Sequence, residues 1–299
     1  MWDIVGKPLE PMSKGKDCSG FINERPGGVA FNIALGLSKN LNKQSYELNL
    51  VSAIGKNEKT RLIRTALEEH NINPKYLLIK GNQNDQYLSI ETKNGEIFGS
   101  INSSSTFLSS QNDIIKHFSQ ICLAHKNENS DAIFIFDGNC TREFLEYVKK
   151  EASENIFTKY FIPANFLKLA EFKNDAIYFK GFNLFINLKE ANILIDSKQF
   201  KNAMDASIAI FEKIRTDTSL SIVTDGPNIA CGVSNEGVAK VQPEVIKGNA
   251  SRLGAGDAFF AYFLSYKELN PTASLKKSLY AANRKTHNHL KANEYKVYR

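Results

Sequence analysis

The chain has 299 residues, 42% of them hydrophobic and 23% charged, as expected for a globular protein with one large α/β domain or two smaller ones. Its net charge of +6 comes from 38 basic and 32 acidic residues that are spread along the chain and not clustered with aromatic side chains, so we expect no nucleic-acid partner. The N-terminal segment lacks the apolar core of a secretory leader and no run approaches the ~18 apolar residues of a membrane span, so we expect a cytoplasmic protein without membrane contact.

The first helix predicted along the chain follows a glycine pair. Gly27 and Gly28 allow the backbone to approach a ligand closely, and Asn32, in the first helical turn, can point back at that ligand. One face of this helix is apolar and consists of Val29, Ile33, Leu37 and Leu41. A capped helix with a buried asparagine would show the same pattern, so these residues alone do not establish a binding site.

Four short apolar runs predict strands of a central sheet. They lie in residues 49–55 and 131–139 and in the runs LFINLKEANIL and LSIVTDG, and the first two are followed by helical patterns. Repeated strand, loop and helix predict a mostly parallel sheet with helices on both faces. Ligands bind such sheets at the carboxyl ends of the strands.

One region departs from this alternation. Residues 85–102 alternate apolar and polar side chains around Asn94-Gly95, which predicts a hairpin, and the segment before Gly27 lacks a helical period. We expect a small β layer from residues about 10–25 and 85–103 that covers the site as a lid. Without an internal repeat or a clear linker, residues 1–299 are predicted to form a single domain with this lid.

Two of the predicted strand ends carry short polar motifs. Asn187 to Glu190 form an N-x-x-E pattern at a strand-to-helix junction, where it could hold a hydrated Mg²⁺ and a phosphate. Thr224 to Gly226 close the next strand. Each pattern is weak by itself, since a cap or a turn would account for it.

The segment from Gly254 to Asp257 is the strongest candidate for chemistry. Gly254, Ala255 and Gly256 are small, so their N–H groups can converge at a helix start and bind an anion. Asp257 beside them could take a proton from a hydroxyl while the N–H groups stabilise a phosphoryl group. A glycine turn in which Asp257 caps the helix is the alternative interpretation.

The cysteines and histidines predict neither a disulfide framework nor a metal site. The four cysteines form no C-x-x-C pair and indicate a reducing compartment; they are Cys18, Cys122, Cys140 and Cys231. His287 and His289 form an H-x-H pattern without further ligands nearby in the sequence.

The order of these motifs resembles that of the ribokinase-like (PfkB) carbohydrate kinase family over nearly the whole chain. The resemblance implies a three-layer α/β fold, with a mostly parallel sheet and a small β lid, and phosphoryl transfer from ATP with Mg²⁺. It makes Asp257 the catalytic base and Gly254, Ala255 and Gly256 the anion hole. It further implies roles in acceptor binding for Asp3, Gly27, Gly28 and Asn32. The remaining implied roles are Mg²⁺ and phosphate binding by Asn187 and Glu190, with Glu190 as the metal ligand, and nucleotide binding by Thr224 and Gly226.

Within this family, the chain most resembles the pseudouridine kinase branch. The opening segment is similar, and so are DGNCTREFLEYV and IPANFLKLAEF, the latter with Pro163 and Lys168 in register. This similarity implies ATP-dependent phosphorylation of the ribose 5′-hydroxyl of pseudouridine. Because the lids of this family often meet across a dimer, a homodimer through the lid is a further expectation.

The chain departs from the family pattern in several places. Only Met1 and Trp2 precede Asp3, so we expect most of the family's first strand to be missing. Ser251 stands where many members carry a cation-binding aspartate, which weakens the expectation of a monovalent-cation requirement. Residues 283–299 lack the apolar period of the family's closing helices, which usually shape the adenine pocket, so ATP binding would be weakened.

Other functions also fit the motifs. A kinase of the same fold could act on ribose, another nucleoside, fructose or keto-deoxygluconate, and Arg252-Leu253 resemble the last of these branches. A degenerate member that only binds a ligand or a partner would explain the short start and the altered tail. A nicotinamide-dependent dehydrogenase would need G-x-G-x-x-G after its first strand, and the glycine pair at 27–28 does not form that pattern.

Overall fold

The computed structural model describes residues 1–92, 95–153, 156–163, 166–195, 200–244 and 252–296. The chain divides into two compact units. The first comprises Met1–Ile114, Val245–Ser265 and Arg284–Arg299, and the second comprises Ile115–Glu244 and Tyr266–Asn283. Among the helices that the structure describes, none is long and apolar enough to cross a membrane.

Each unit has its own set of strands. Those of the first unit are β1 (Trp2–Pro8), β2 (Gly20–Pro26), β3 (Leu48–Asn49), β4 (Ser52–Ile54), β5 (Ile72–Asn73), β6 (Leu77–Ile79), β7 (Gln86–Glu91) and β8 (Ile97–Ser103). Those of the second are β9 (Ala132–Asp137), β10 (Phe157–Ile162), β11 (Asn183–Asn187), β12 (Leu220–Thr224), β13 (Ala230–Ser234) and β14 (Gly237–Val241).

The helices are distributed along the whole chain. They are α1 (Val29–Ser38), α2 (Glu58–Glu69), α3 (Ser105–Ser109), α4 (Gln111–Glu128), α5 (Arg142–Glu151), α6 (Phe166–Leu169), α7 (Leu188–Leu194), α8 (Ala203–Ile214), α9 (Ala255–Leu269) and α10 (Leu275–Lys296). Side-chain caps fix several of the helix starts. At α2, for example, the Asn57 side chain accepts from the Lys59 N–H and the Thr60 hydroxyl accepts from the Asn57 N–H.

In the first unit, a four-stranded sheet has the order β2-β1-β7-β8, with β1 and β7 parallel and the outer pairs antiparallel. β7 and β8 confirm the predicted hairpin, although Asn94 of its turn lies outside the described residues. Parallel pairs β3–β5 and β4–β6 accompany this sheet. The core of the unit is formed by Trp2, Phe31, Leu50, Ile54, Ile63, Leu67 and Ile72.

In the second unit, a six-stranded sheet has the order β14-β13-β12-β11-β10-β9. The strands β9 to β12 run parallel, while β13 and β14 are antiparallel to their neighbours. This sheet confirms the strands predicted in 131–139 and at LFINLKEANIL and LSIVTDG. Phenylalanine rings fill much of the core, with Phe118, Phe136, Phe144 and Phe182 in edge-to-face contact.

The closing segment is helical although its sequence lacks an apolar period. Helix α10 continues to Lys296, and several of its buried positions hold polar side chains, namely Asn283, Thr286 and His287. Polar residues at buried positions hide the helical period from a pattern of apolar residues alone. The missing period therefore does not indicate a missing helix.

Candidate active site

Asp257 lies in the first turn of α9. The Ala258 N–H donates to the Gly254 carbonyl oxygen at 2.9 Å, so Gly254, with a φ of 77°, occupies the cap position. The alternative interpretation, in which Asp257 caps the helix, is therefore wrong. The Ala255 N–H donates to the Arg252 carbonyl oxygen at 3.1 Å, so the chain already turns at the start of α9.

Asn32 contacts Asp257 directly. Its Nδ2 donates to Asp257 Oδ2 at 2.8 Å, across 225 residues of sequence, and both side chains are half-buried. The Asn32 N–H donates to the Gly28 carbonyl oxygen at 2.9 Å in the first turn of α1. A Cβ at Gly254 would lie 3.8 Å from Asn32 Nδ2 and 3.9 Å from Asp257 Oδ2. The structure thus brings these predicted site residues together at the starts of α1 and α9.

Asp3 is buried against the glycine pair, with 4% of its surface exposed. Gly28 has a φ of 94°, and its N–H donates to the Asp3 carboxylate. Burial raises the pKa of Asp3, and the charge of Arg25 and the Gly28 N–H only partly oppose this effect. Among the described residues, Asp3 Oδ1 has no hydrogen-bond partner. A buried carboxylate oxygen of this kind fits a ligand hydroxyl that donates to it.

Asn187 and Glu190 form a capping box at the start of α7. Asn187 Oδ1 accepts from the Glu190 N–H at 3.0 Å, and Glu190 Oε2 accepts from the Asn187 N–H at 2.8 Å. These two bonds account for the N-x-x-E pattern by themselves. Thr224 lies opposite Asn187 in the register of β11 and β12, and Gly226 follows with a φ of 54°. The four residues therefore lie at the carboxyl ends of two paired parallel strands, the edge at which sheets of this kind commonly bind ligands.

The donor atoms at this edge can be compared with those that metal ions require. In the part of the chain that the structure describes, no three His, Cys, Asp or Glu side chains form a group that could hold a metal ion. Mg²⁺ is usually held by one or two carboxylates together with waters and substrate phosphates. Glu190, half-buried beside the exposed Asn187, supplies a donor set of that kind.

A third polar group lies at the carboxyl end of β9; its residues were not among the predicted site residues, although their segments carried the resemblance to the pseudouridine kinase branch. The Asn139 N–H donates to Asp137 Oδ1 at 2.8 Å, and Lys168 Nζ donates to Asn139 Oδ1 at 3.1 Å. Burial raises the pKa of Asp137, although the hydrogen bonds from Asn139 and the charge of Lys168 oppose it. In the sequence, the polar residues at the end of the apolar run 131–139 indicate part of this group. No local pattern could connect it with a lysine 29 residues after Asn139.

Comparison with known sequences identifies one family. Residues 19–284 match the sequence model of the pfkB family of carbohydrate kinases. No curated protein sequence matches the chain.

Solved structures of several kinases share the fold of this chain. A carbohydrate kinase from Agrobacterium tumefaciens is 16% identical, with a TM-score of 0.66 over 99% of this chain and 94% of that one. Phosphofructokinase-2 from Escherichia coli, solved with fructose-6-phosphate, is 15% identical, with a TM-score of 0.69 over 99% and 96%. Ribokinase from Cryptococcus neoformans, solved with ADP, is 16% identical, with a TM-score of 0.63 over 96% and 90%. These similarities confirm the predicted ribokinase-like α/β fold.

Proposed function

Because the chain belongs to the pfkB family of carbohydrate kinases, we propose that it is an ATP-dependent kinase that phosphorylates the 5′-hydroxyl of pseudouridine. The family implies a phosphotransferase with an alcohol group as acceptor. One observation carries the catalytic assignment: Asp257 lies beside Asn32 and Gly254 in the first turn of α9. A carboxylate at an open helix start can accept a proton where a transferred phosphoryl group is stabilised.

In the proposed reaction, Asp257 accepts the proton of the acceptor hydroxyl as the hydroxyl oxygen bonds to the γ-phosphorus of ATP. The bond from that phosphorus to the β–γ bridging oxygen breaks, and ADP leaves. The segment from Gly254 to Gly256 forms the anion hole, in which the positive end of α9 stabilises the transferred phosphoryl group. Asp3 holds a ribose hydroxyl through its buried Oδ1.

The nucleotide side of the reaction is assigned to the edge formed by β11 and β12. We assign Asn187 and Glu190 to Mg²⁺ and phosphate, and Thr224 and Gly226 to the nucleotide. Their common place at the carboxyl ends of two paired strands supports this assignment. Mg²⁺, when bound, neutralises charge on the ATP phosphates.

The segments that carry Asp137, Asn139 and Lys168 resemble those of pseudouridine kinases, and this resemblance supports pseudouridine as the acceptor. A uracil ring alternates carbonyl oxygens with N–H groups, so a lysine can donate to a carbonyl oxygen while a carboxylate accepts from a neighbouring N–H. Pseudouridine is attached to its ribose through carbon and therefore has one more ring N–H than uridine. A carboxylate such as Asp137 that accepts from this N–H would favour pseudouridine over uridine.

The proposal extends to assembly and location. We propose a single kinase domain over residues 1–299, with lid segments about 10–25 and 85–103, that acts in the cytoplasm as a homodimer through the lid. Ile22 on β2 and Phe98 and Ile101 on β8 are 76%, 65% and 66% exposed, and a second copy would cover such apolar side chains. The four cysteines are free, which fits a reducing compartment. Ile101→Ser should shift the mass measured by sedimentation toward the monomer, and an unchanged dimer would exclude this interface.

The function is tested by measuring ADP formation and the mass of the product with Mg²⁺-ATP and different acceptors. Pseudouridine should exceed uridine in kcat/KM by roughly 10²-fold or more, because uridine lacks the additional ring N–H. Ribose, fructose, keto-deoxygluconate and a reaction without acceptor complete the panel. Turnover with one of these sugars alone would make the chain another sugar kinase. ATP binding without turnover on any acceptor would favour a non-catalytic member.

A variant series tests the assignment of the base-recognition group within the same assay. Lys168→Met should raise the KM for pseudouridine while the KM for ATP stays the same. Lys180→Met, at an exposed lysine of the same unit, is the matched control and should change neither value. An unchanged KM for pseudouridine in Lys168→Met would exclude a role of this group in acceptor binding.

A further inference from the structure

We propose that Asn32 is a positioning residue that orients Asp257, and that a close contact between α1 and α9 at Gly36 and Ala261 maintains this orientation. The inference rests on the proposed kinase function and adds to it a role for Asn32 that is distinct from acceptor binding.

The hydrogen bond between the two side chains explains how Asn32 could orient the base. Asn32 Nδ2 donates to Asp257 Oδ2 at 2.8 Å, a bond strengthened by the charge of the carboxylate. With one carboxylate oxygen held in this way, rotation of the Asp257 side chain is restricted. A carboxylate held in one orientation can present the acceptor with the geometry that proton transfer needs, and correct orientation of a reacting group is a large part of catalysis.

The packing of α1 against α9 explains why Asn32 reaches Asp257. Asn32 and Gly36 are four residues apart on one face of α1, and Asp257 and Ala261 are four residues apart on one face of α9. A Cβ on Gly36 would lie only 2.5 Å from the Cβ of Ala261, so the helices approach more closely than a larger residue allows. Asn32 and Asp257 each lie one helical turn closer to the start of their helix than Gly36 and Ala261. The crossing of α1 and α9 therefore places Asn32 against Asp257.

The identity of both residues at the contact supports this interpretation. Glycine inside a helix is unfavourable relative to alanine, so a packing reason is expected for Gly36, which lies in the last turn of α1. Ala261 is fully buried, and the close approach of α1 and α9 at these two residues supplies that reason. The sequence shows Gly36 only as part of an apolar helix, which is why the contact could not be predicted from it.

The first test separates a positioning role from acceptor binding by steady-state kinetics. Asn32→Ala should lower kcat roughly tenfold to a hundredfold, as expected for a hydrogen bond to a charged group, while the KM for the acceptor changes less than about threefold. Asn32→Asp has the same shape but loses the donor and adds a negative charge, so its kcat should be at least as low. Asn270→Ala, at an exposed asparagine, is the control for truncation. A raised acceptor KM with unchanged kcat in Asn32→Ala would overturn the proposal.

The second test examines the helix contact with a double-mutant cycle. Gly36→Ala should lower kcat, because the added methyl group separates α1 from α9. Gly36→Ala combined with Ala261→Gly moves the methyl group from one helix to the other and should restore kcat to within about threefold of the wild type. Ala261→Gly alone completes the cycle. A folded double variant that remains as slow as Gly36→Ala would show that this contact does not position the base.

A third readout does not depend on catalysis. The Asn32 side-chain amide should shift in ¹⁵N–¹H spectra when Asp257 is replaced by alanine, shift similarly in Gly36→Ala, and return in the double variant. If the wild type phosphorylates no acceptor while this pattern holds, the proposed function fails and the contact stands. An Asn32 amide that does not respond to Asp257→Ala would refute the inference whatever the activity.

Discussion

Gly27 lies so close to Asp3 that a Cβ at this glycine would be 2.0 Å from Asp3 Oδ2. Gly27→Ala must therefore displace the buried carboxylate or the strand that carries it. We expect the KM for the acceptor to rise at least tenfold and the free energy of unfolding to fall by about 1–3 kcal/mol, the usual cost of overpacking.

Gly6→Ala is the control for this prediction, because a Cβ at Gly6 would meet its nearest neighbours at an ordinary 3.8 Å. Steady-state kinetics and urea denaturation of both variants provide the comparison. Equal effects of the two substitutions would show that the contact between Gly27 and Asp3 has no special role.

Asp3 also predicts a dependence of stability on pH. Burial raises its pKa in the folded state above the ordinary value of 3.8, so the protonated form favours folding and this contribution is lost as the pH rises through the folded-state pKa. Asp3→Asn is neutral at every pH. Its stability relative to the wild type should therefore increase between about pH 3.5 and pH 7, by up to about 1–3 kcal/mol, the cost of an incompletely paired buried group.

The measurement for Asp3→Asn is urea denaturation at both pH values, together with the KM for the acceptor. The KM should rise although the stability relative to the wild type increases toward neutral pH, because the amide accepts hydroxyl hydrogen bonds more weakly than the carboxylate. A stability difference that is the same at both pH values would contradict the raised pKa.

Asp257→Asn tests the assignment of the base. Asparagine keeps the shape of the side chain and an oxygen that can accept from Asn32, but it cannot take the proton of the acceptor hydroxyl. We expect kcat to fall by roughly 10²–10⁴-fold with an unchanged melting temperature. Asp113→Asn, which removes an ion pair with Lys80 in a different element, should leave turnover near the wild-type value. Near-normal turnover in Asp257→Asn would exclude this residue as the base.

The sequence predicts the parts of this fold that depend on local patterns. β9, β11 and β12 were predictable because their apolar runs end in polar residues, and Asp257 and Gly254 stand in a short and specific motif. The partners of these residues are not local. The bond between Asn32 and Asp257 joins positions 225 residues apart, and only the packing of two helices brings them together.

Glu190 has a structural and a proposed catalytic role that one substitution can separate. In the capping box its side chain accepts from the Asn187 N–H, and glutamine can make the same bond. Glu190→Gln should therefore leave the free energy of unfolding within about 0.5 kcal/mol of the wild type. Loss of the carboxylate should raise the Mg²⁺ concentration needed for half-maximal turnover, because Mg²⁺ prefers a charged oxygen ligand.

Glu190→Ala is the matched comparison, because it removes both the charge and the capping bond. It should lower stability by about 0.5–2 kcal/mol, as the loss of a helix cap does, and raise the Mg²⁺ requirement as Glu190→Gln does. Turnover of both variants is measured over a range of Mg²⁺ concentrations at constant ATP, and stability by urea denaturation. If Glu190→Gln needs no more Mg²⁺ than the wild type, the N-x-x-E motif of this chain serves as a helix cap, and the metal must be held by other residues.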